Sequence, residues 1–170
     1  MKTLKWFPLM LSAVCLVALG ETTANPKLWV AVGSTLFFSG DNNSSGFELW
    51  KSDGTEAGTV QVKDICQGSI SSTPSYLTAI GNTVFFAAND GVCGCELWKS
   101  DGTEAGTVLV KDIRQGSSSS SPANLTAVGA TLFFDADNGV NGRELWKSDG
   151  TAAGTVLVKD AASGSRSLFK

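Results

Sequence analysis

Acidic side chains recur at fixed intervals along this 170-residue chain. Glu48, Glu96 and Glu144 stand 48 residues apart, and so do Asp53, Asp101 and Asp149. Paired carboxylates can do general acid–base work. Three equal copies argue for scaffold instead, because a catalytic site needs one asymmetric constellation. The Asp of each Asp-Gly-Thr turn is also explained by bonds to its own backbone. Histidine is absent from the sequence, which removes Ser-His-Asp and Cys-His machinery and the usual catalytic zinc sites. Outside the repeated positions stands a small polar set, Arg114, Asp135, Asp137 and Arg143. An enzyme built on this chain alone would have to draw on that set.

Trp50, Trp98 and Trp146 also recur once per repeat. They could stack on sugar rings, one platform per repeat, but a fixed strand position beside Leu favours the core. Asp135-Ala-Asp137-Asn-Gly139 has the alternating oxygens of a calcium loop. The aligned stretches from Ser39 and Ala87 lose one or both ligands, so a hairpin turn is favoured and calcium is the alternative. The cysteines depart from the repeat. Cys66 stands where the other copies have Arg114 and Ala162, while Cys93 and Cys95 replace Ser45/Asn141 and Phe47/Arg143. In an exported chain an oxidised pair is expected. Cys93 and Cys95 lie too close along one strand for an unstrained bridge, so Cys66 with one of them is expected. The third thiol is then left to crosslink two chains.

These residues sit in a unit written three times. Glu48 to Lys63 (Glu-Leu-Trp-Lys-Ser-Asp-Gly-Thr-Glu-Ala-Gly-Thr-Val-Gln-Val-Lys) returns as Glu96 to Lys111 and Glu144 to Lys159. A repeat of this length made of strands points to propeller blades. Each copy reads as four short strands parted by turn residues. In the second copy these are Tyr76–Ile80, Thr83–Ala88, Cys95–Ser100 and Thr107–Ile113. Gly33, Gly81 and Gly129 mark the first turn, and Asp-Gly marks the third. Phe37-Phe38, Phe85-Phe86 and Phe133-Phe134 put one ring on each face of a strand. Leu-Trp does the same in the third strand, so each sheet is expected to be covered on both sides by its neighbours.

The predicted fold is therefore all-β, with three 48-residue, four-stranded antiparallel repeats forming a partial β-propeller. The expected division is a signal peptide over 1–24, repeats over 25–66, 67–114 and 115–161, and a degenerate tail over 162–170. Two lysines, an apolar run from Trp6 to Leu19 and small residues ending at Gly20 or Ala24 give the order of a secretory signal. Val14 before Cys15 speaks against a lipoprotein. Secretion or surface display is expected, without membrane insertion after cleavage. Cleavage after Ala24 leaves the chain one unit more acidic than its net −3, so nucleic acid is a poor partner. Closed propellers use about 4 to 8 blades. Pairing of two copies into a six-blade ring is one expectation for the uncovered faces, an open array or a piece of a longer protein the others.

Glu48-Leu-Trp-Lys-Ser-Asp-Gly-Thr55, followed by Ala57-Gly-Thr59 and Val62-Lys-Asp-Ile65, resembles the ELWxxDGT repeat. That repeat occurs in large secreted or surface proteins of bacteria, including myxobacteria, often labelled hyalin-like. The likeness runs from about Leu28 to Asp160. It implies a propeller-like β repeat and export, and it carries over no catalytic residues. The function expected from the whole sequence is a non-catalytic binding or structural module rather than an enzyme. Its partner would be a second copy, a surface glycan or a protein. A carbohydrate- or calcium-dependent adhesion module is the alternative, and part of a larger propeller enzyme the more distant one.

Overall fold

The computed structural model describes residues 27–160 together with 167 and 168. The expected signal segment over 1–24 and its cleavage site, Cys15 and most of the tail lie outside the described residues. Among the described residues twelve strands run in order: β1 Trp29–Val32, β2 Thr35–Asp41, β3 Phe47–Ser52, β4 Val60–Lys63, β5 Ser75–Ile80, β6 Thr83–Asn89, β7 Cys95–Ser100, β8 Val108–Lys111, β9 Ala123–Val128, β10 Thr131–Asp137, β11 Arg143–Ser148 and β12 Val156–Lys159. They form three antiparallel sheets, β1-β2-β3-β4, β5-β6-β7-β8 and β9-β10-β11-β12. Each is a meander, so each repeat is one blade. Neighbouring blades meet most closely through their first strands β1, β5 and β9.

The double-faced apolar pattern does what it implied. In the middle blade Phe85 and Phe86 are both buried, one against each neighbour. Phe37, Leu49, Val62 and Ile65 of blade 1 pack against Leu77, Val84, Phe86, Ala88 and Trp98 of blade 2. The next joint repeats this position by position, with Phe85, Leu97, Val110 and Ile113 against Leu125, Leu132, Phe134, Ala136 and Trp146. Two interfaces with one composition are what a 48-residue repeat builds when its copies stack in a fixed orientation.

The fourth strand is shorter than its sequence suggests, Val108–Lys111 rather than Thr107–Ile113. Thr107 is taken by the loop, its hydroxyl bonding the Thr103 carbonyl at 2.7 Å. Ile113 turns its N–H to the Glu96 carboxylate at 3.0 Å instead of to a strand. Ser167 and Leu168 bond to the start of β11. Ser167 accepts a bond from the Arg143 N–H at 3.0 Å, as Ser71 does from Phe47 and Ser119 from Cys95, both at 2.9 Å. Leu168 then donates to the Arg143 carbonyl at 2.9 Å. Ser167 therefore stands as far from its donor in sequence as Ser71 and Ser119 do from theirs, 24 residues in each case.

The Asp-Gly-Thr loops carry the second glycine of the signature for a steric reason. Asp101 accepts from the Thr103 N–H and hydroxyl at 2.8 and 2.7 Å. A Cβ on Gly106 would stand 2.1 Å from an oxygen of that carboxylate, so a side chain there must break the turn. Gly106→Ala is expected to cost about 1–3 kcal/mol, the usual penalty of forced overpacking. A thermal melt matching that of the parent chain would show that the loop tolerates the crowding.

Candidate functional site

Antiparallel meanders put two kinds of loop at opposite edges of the blades. The Asp-Gly-Thr loops share one edge with the first-turn glycines, and the crossings share the other with the second hairpin turns. Most of the non-repeated polar residues gather at the crossing edge, between blades 2 and 3. Asp135 of β10 is almost fully buried and is ion-paired through the Nε of Arg143 at the start of β11. Its other oxygen accepts from the Asn124 amide at 2.8 Å. Arg143 also donates from Nη2 to the Ser121 carbonyl at 2.7 Å. Tyr76 of blade 2 reaches the same cluster. Burial pushes its phenol above the ordinary value, with Asp135 adding to the rise and Arg143 opposing it.

A second pair lies on the rim. Arg114, in the crossing, meets Asp137 at 3.5 Å with both side chains about a third exposed. Asp137 also accepts from the Gly139 N–H at 2.7 Å and closes the turn that the sequence favoured. Asp135 and Asp137 thus each face a different arginine, and a calcium ion at Asp135 would have to displace Arg143. Among the described residues, no three Cys, Asp or Glu side chains gather around one point. Arg114, Asp135, Asp137 and Arg143 were legible as the non-repeated polar set. Asn124 and Tyr76 were missed, although both break the repeat at one shared position, where blade 1 has Leu28. Tyr76 and Asn124 adopt positive φ, 57° and 55°, at the second residue of β5 and β9.

The repeated carboxylates are scaffold. Glu48 accepts from Ile65 N–H, Ser72 N–H and the Ser72 hydroxyl at 2.9, 3.0 and 2.6 Å. Glu96 holds Ile113 and Ser120 in the same way. Each clasps the crossing that leaves its blade. Burial raises the Glu48 carboxyl, against its hydrogen bonds, and pushes Glu96 up to about 7 for the same reason. Asp53, Asp101 and Asp149 are lowered, chiefly by the threonine hydroxyl two residues on. Trp98 and Trp146 are core residues between blades, whereas Trp50 lies half-buried on the uncovered side of blade 1.

The expected bridge from Cys66 is not made. Cys66 and Cys93 are free thiols, and Cys95 is disulfide-bonded to neither of them. Cys66 faces the turn behind it, its sulfur 3.2 Å from where a Cβ on Gly91 would stand. Cys93 is turned towards Asp90. Burial raises both thiols above their ordinary range, with nearby carboxylates adding to it.

No protein-family model matches the chain, and no curated protein matches it. Solved structures do. The AtxE2 isopeptidase in its apo form is similar over 79% of this chain and 20% of its own, with 14% identity and a TM-score of 0.54. A variant of that isopeptidase with Astexin3-dC4 bound gives 15% identity and a TM-score of 0.52 over the same shares. At such identity the likeness is one of fold. The chain spans about a fifth of the isopeptidase's length. This overturns the expectation of a purely non-catalytic binding or structural module, and with it the ground for setting an enzyme aside. Blades arranged like these occur inside an enzyme, so the fold is no argument against a role in catalysis.

Proposed function

We propose that this chain is an exported repeat protein of the ELWxxDGT type whose blades form the substrate-facing part of an enzyme cleaving peptide or isopeptide bonds. The observation that carries the reading is the blade arrangement shared with a fifth of an isopeptidase. The nucleophile and its base come from outside the three blades, since the repeated carboxylates here are committed to crossings and turns. The blades contribute the polar rim of the crossing edge. Arg114, partly exposed and paired with Asp137, is its cation, suited to a peptide carboxylate or carbonyl.

The test is depletion and add-back. Hydrolysis of an isopeptide-linked fluorogenic peptide is measured in the producing cells' exported fraction before and after antibody removal of the chain. Activity is expected to fall on removal and to return with purified chain. The Arg114→Ala chain should restore less than about a tenth of it, the scale of one lost charge-assisted bond. Hydrolysis that survives complete removal overturns the proposal.

A further inference from the structure

The joints between blades show what an unjoined blade face lacks. At each joint two lysines of one blade reach the Asp-Gly-Thr loop of the next. Lys51 donates to the Gly102 carbonyl at 2.8 Å and Lys63 to the Thr107 carbonyl at 2.9 Å. Lys99 and Lys111 repeat this with Gly150 and Thr155 at 2.8 and 2.7 Å. A ring seats beside them: Phe37 lies 3.0 Å from the place of a Cβ on Gly102, and Phe85 3.1 Å from that on Gly150. A lysine also adds to the lowering of the Asp101 and Asp149 carboxyls, after the threonine bonds, and none acts on Asp53.

Blade 3 presents the donor half of this joint and blade 1 the acceptor half, neither covered by the described residues. Lys147 and Lys159 are exposed, beside a half-buried Phe133. Val158 is 44% exposed where Val62 and Val110 are each 6%. On blade 1, Gly54 has nothing within 4 Å of its Cβ position among the described residues. Thr59 is exposed where Thr107 and Thr155 are fully buried. Trp29 is 62% and Leu36 42% exposed, where Leu77 and Val84 are each 0%. The lysines, the ring and the valine of the internal joints recur on blade 3 and their loop acceptors on blade 1, while Ala161, Gly40 and Gln61 stand in sequence where the joints have Ile65/Ile113, Ala88/Ala136 and Leu109/Leu157.

We propose that the outgoing face of blade 3 docks on the incoming face of blade 1 in a second copy, two copies closing a six-blade ring. The contact is head-to-tail, and a half-turn brings the second joint into register with the first. Six blades lie within the range of closed propellers. In the ring Lys147 and Lys159 donate to the partner's Gly54 and Thr59 carbonyls, and Phe133 takes the seat at the partner's Gly54. The inference stands on the internal joints and is independent of the enzymatic reading.

Light scattering on a sizing column, applied to the exported chain, decides it. Twice the chain mass at micromolar concentration is expected. The Lys147→Glu/Lys159→Glu variant removes two exposed cations at each joint and should raise the dissociation constant at least about a hundredfold. Glu104→Lys, a charge reversal on an exposed loop of the middle blade, should leave the mass unchanged. Circular dichroism of the double variant should match the parent spectrum, since among the described residues neither lysine side chain makes a hydrogen bond or ion pair. A parent chain of single mass, a series growing with concentration, or a double variant still at twice the chain mass overturns the proposal.

Discussion

Glu96→Ala lowers the stability of the chain by about 3 kcal/mol or more, the sum expected when three buried donors lose their acceptor at about 1–3 kcal/mol each. Those donors are the Ile113 N–H, the Ser120 N–H and the Ser120 hydroxyl, at 3.0, 2.7 and 2.5 Å from the carboxylate. Both oxygens are engaged and the side chain is fully buried. Alanine leaves a hole where the crossing from blade 2 to blade 3 was held. Glutamine is not equivalent, because either placement of its amide points an N–H at a backbone N–H. The effect reaches beyond the local turn. Ile113 belongs to the apolar joint with blade 3, so releasing the crossing also loosens that joint. Urea unfolding of Glu96→Ala beside Glu104→Ala, an exposed change expected within about 0.5 kcal/mol of the parent, measures it. A difference below about 1 kcal/mol would mean that water replaces the carboxylate at little cost.

The clasp shows why some features were legible in sequence and others were not. Strand alternation and paired aromatics report burial directly, so Phe85-Phe86 gave away a sheet covered on both faces. Turn glycines report backbone shape, so the hairpins fell where Gly81 and Asp101-Gly102 put them. Lys51, Lys63, Lys99 and Lys111 were opaque, because a lysine in a strand reads as a solvated position. Their partners are carbonyls 44 to 51 residues away in the next blade, and a backbone carbonyl leaves no mark on composition. Asp135 and Arg143 were visible as departures from the repeat. Their pairing was not, since it needs the β10–β11 register that places the two strands side by side. Cys66 misled for a related reason. Sequence distance and compartment favoured a bridge, but the packing of the Gly91 turn turned its sulfur elsewhere.

Acid should stabilise this protein relative to neutral pH. Glu96 titrates at about 7 in the folded chain against an ordinary 4.5, with burial as the main cause, and Glu48 is raised for the same reason. Below about 4.5 both states hold these protons. Between about 4.5 and 7 the folded state holds more protons than the unfolded one, so stability falls as pH rises. Their contribution is fully present below the unfolded value and is lost once pH passes the folded one. A shift of this size corresponds to at most about 3 kcal/mol for Glu96. At roughly 2–4 °C per kcal/mol for a domain of this size, the melting point at pH 8 should lie below that at pH 5 by up to about 12 °C. The turn aspartates set the opposite limit. Asp53, Asp101 and Asp149 are lowered from 3.8, so what they contribute is present above that value and is lost as pH falls further. The two trends place the optimum near the ordinary carboxylate range, on the acid side of neutral. Protonation also suits the clasp, since a neutral Glu96 can donate to the Ser120 oxygen once that hydroxyl rotates. Calorimetry from pH 4 to 9 measures the slope, and Glu96→Gln, which cannot ionise, should flatten most of it. A melting point that climbs from pH 5 to pH 8 would mean that the three hydrogen bonds outweigh burial and that Glu96 is an anion throughout.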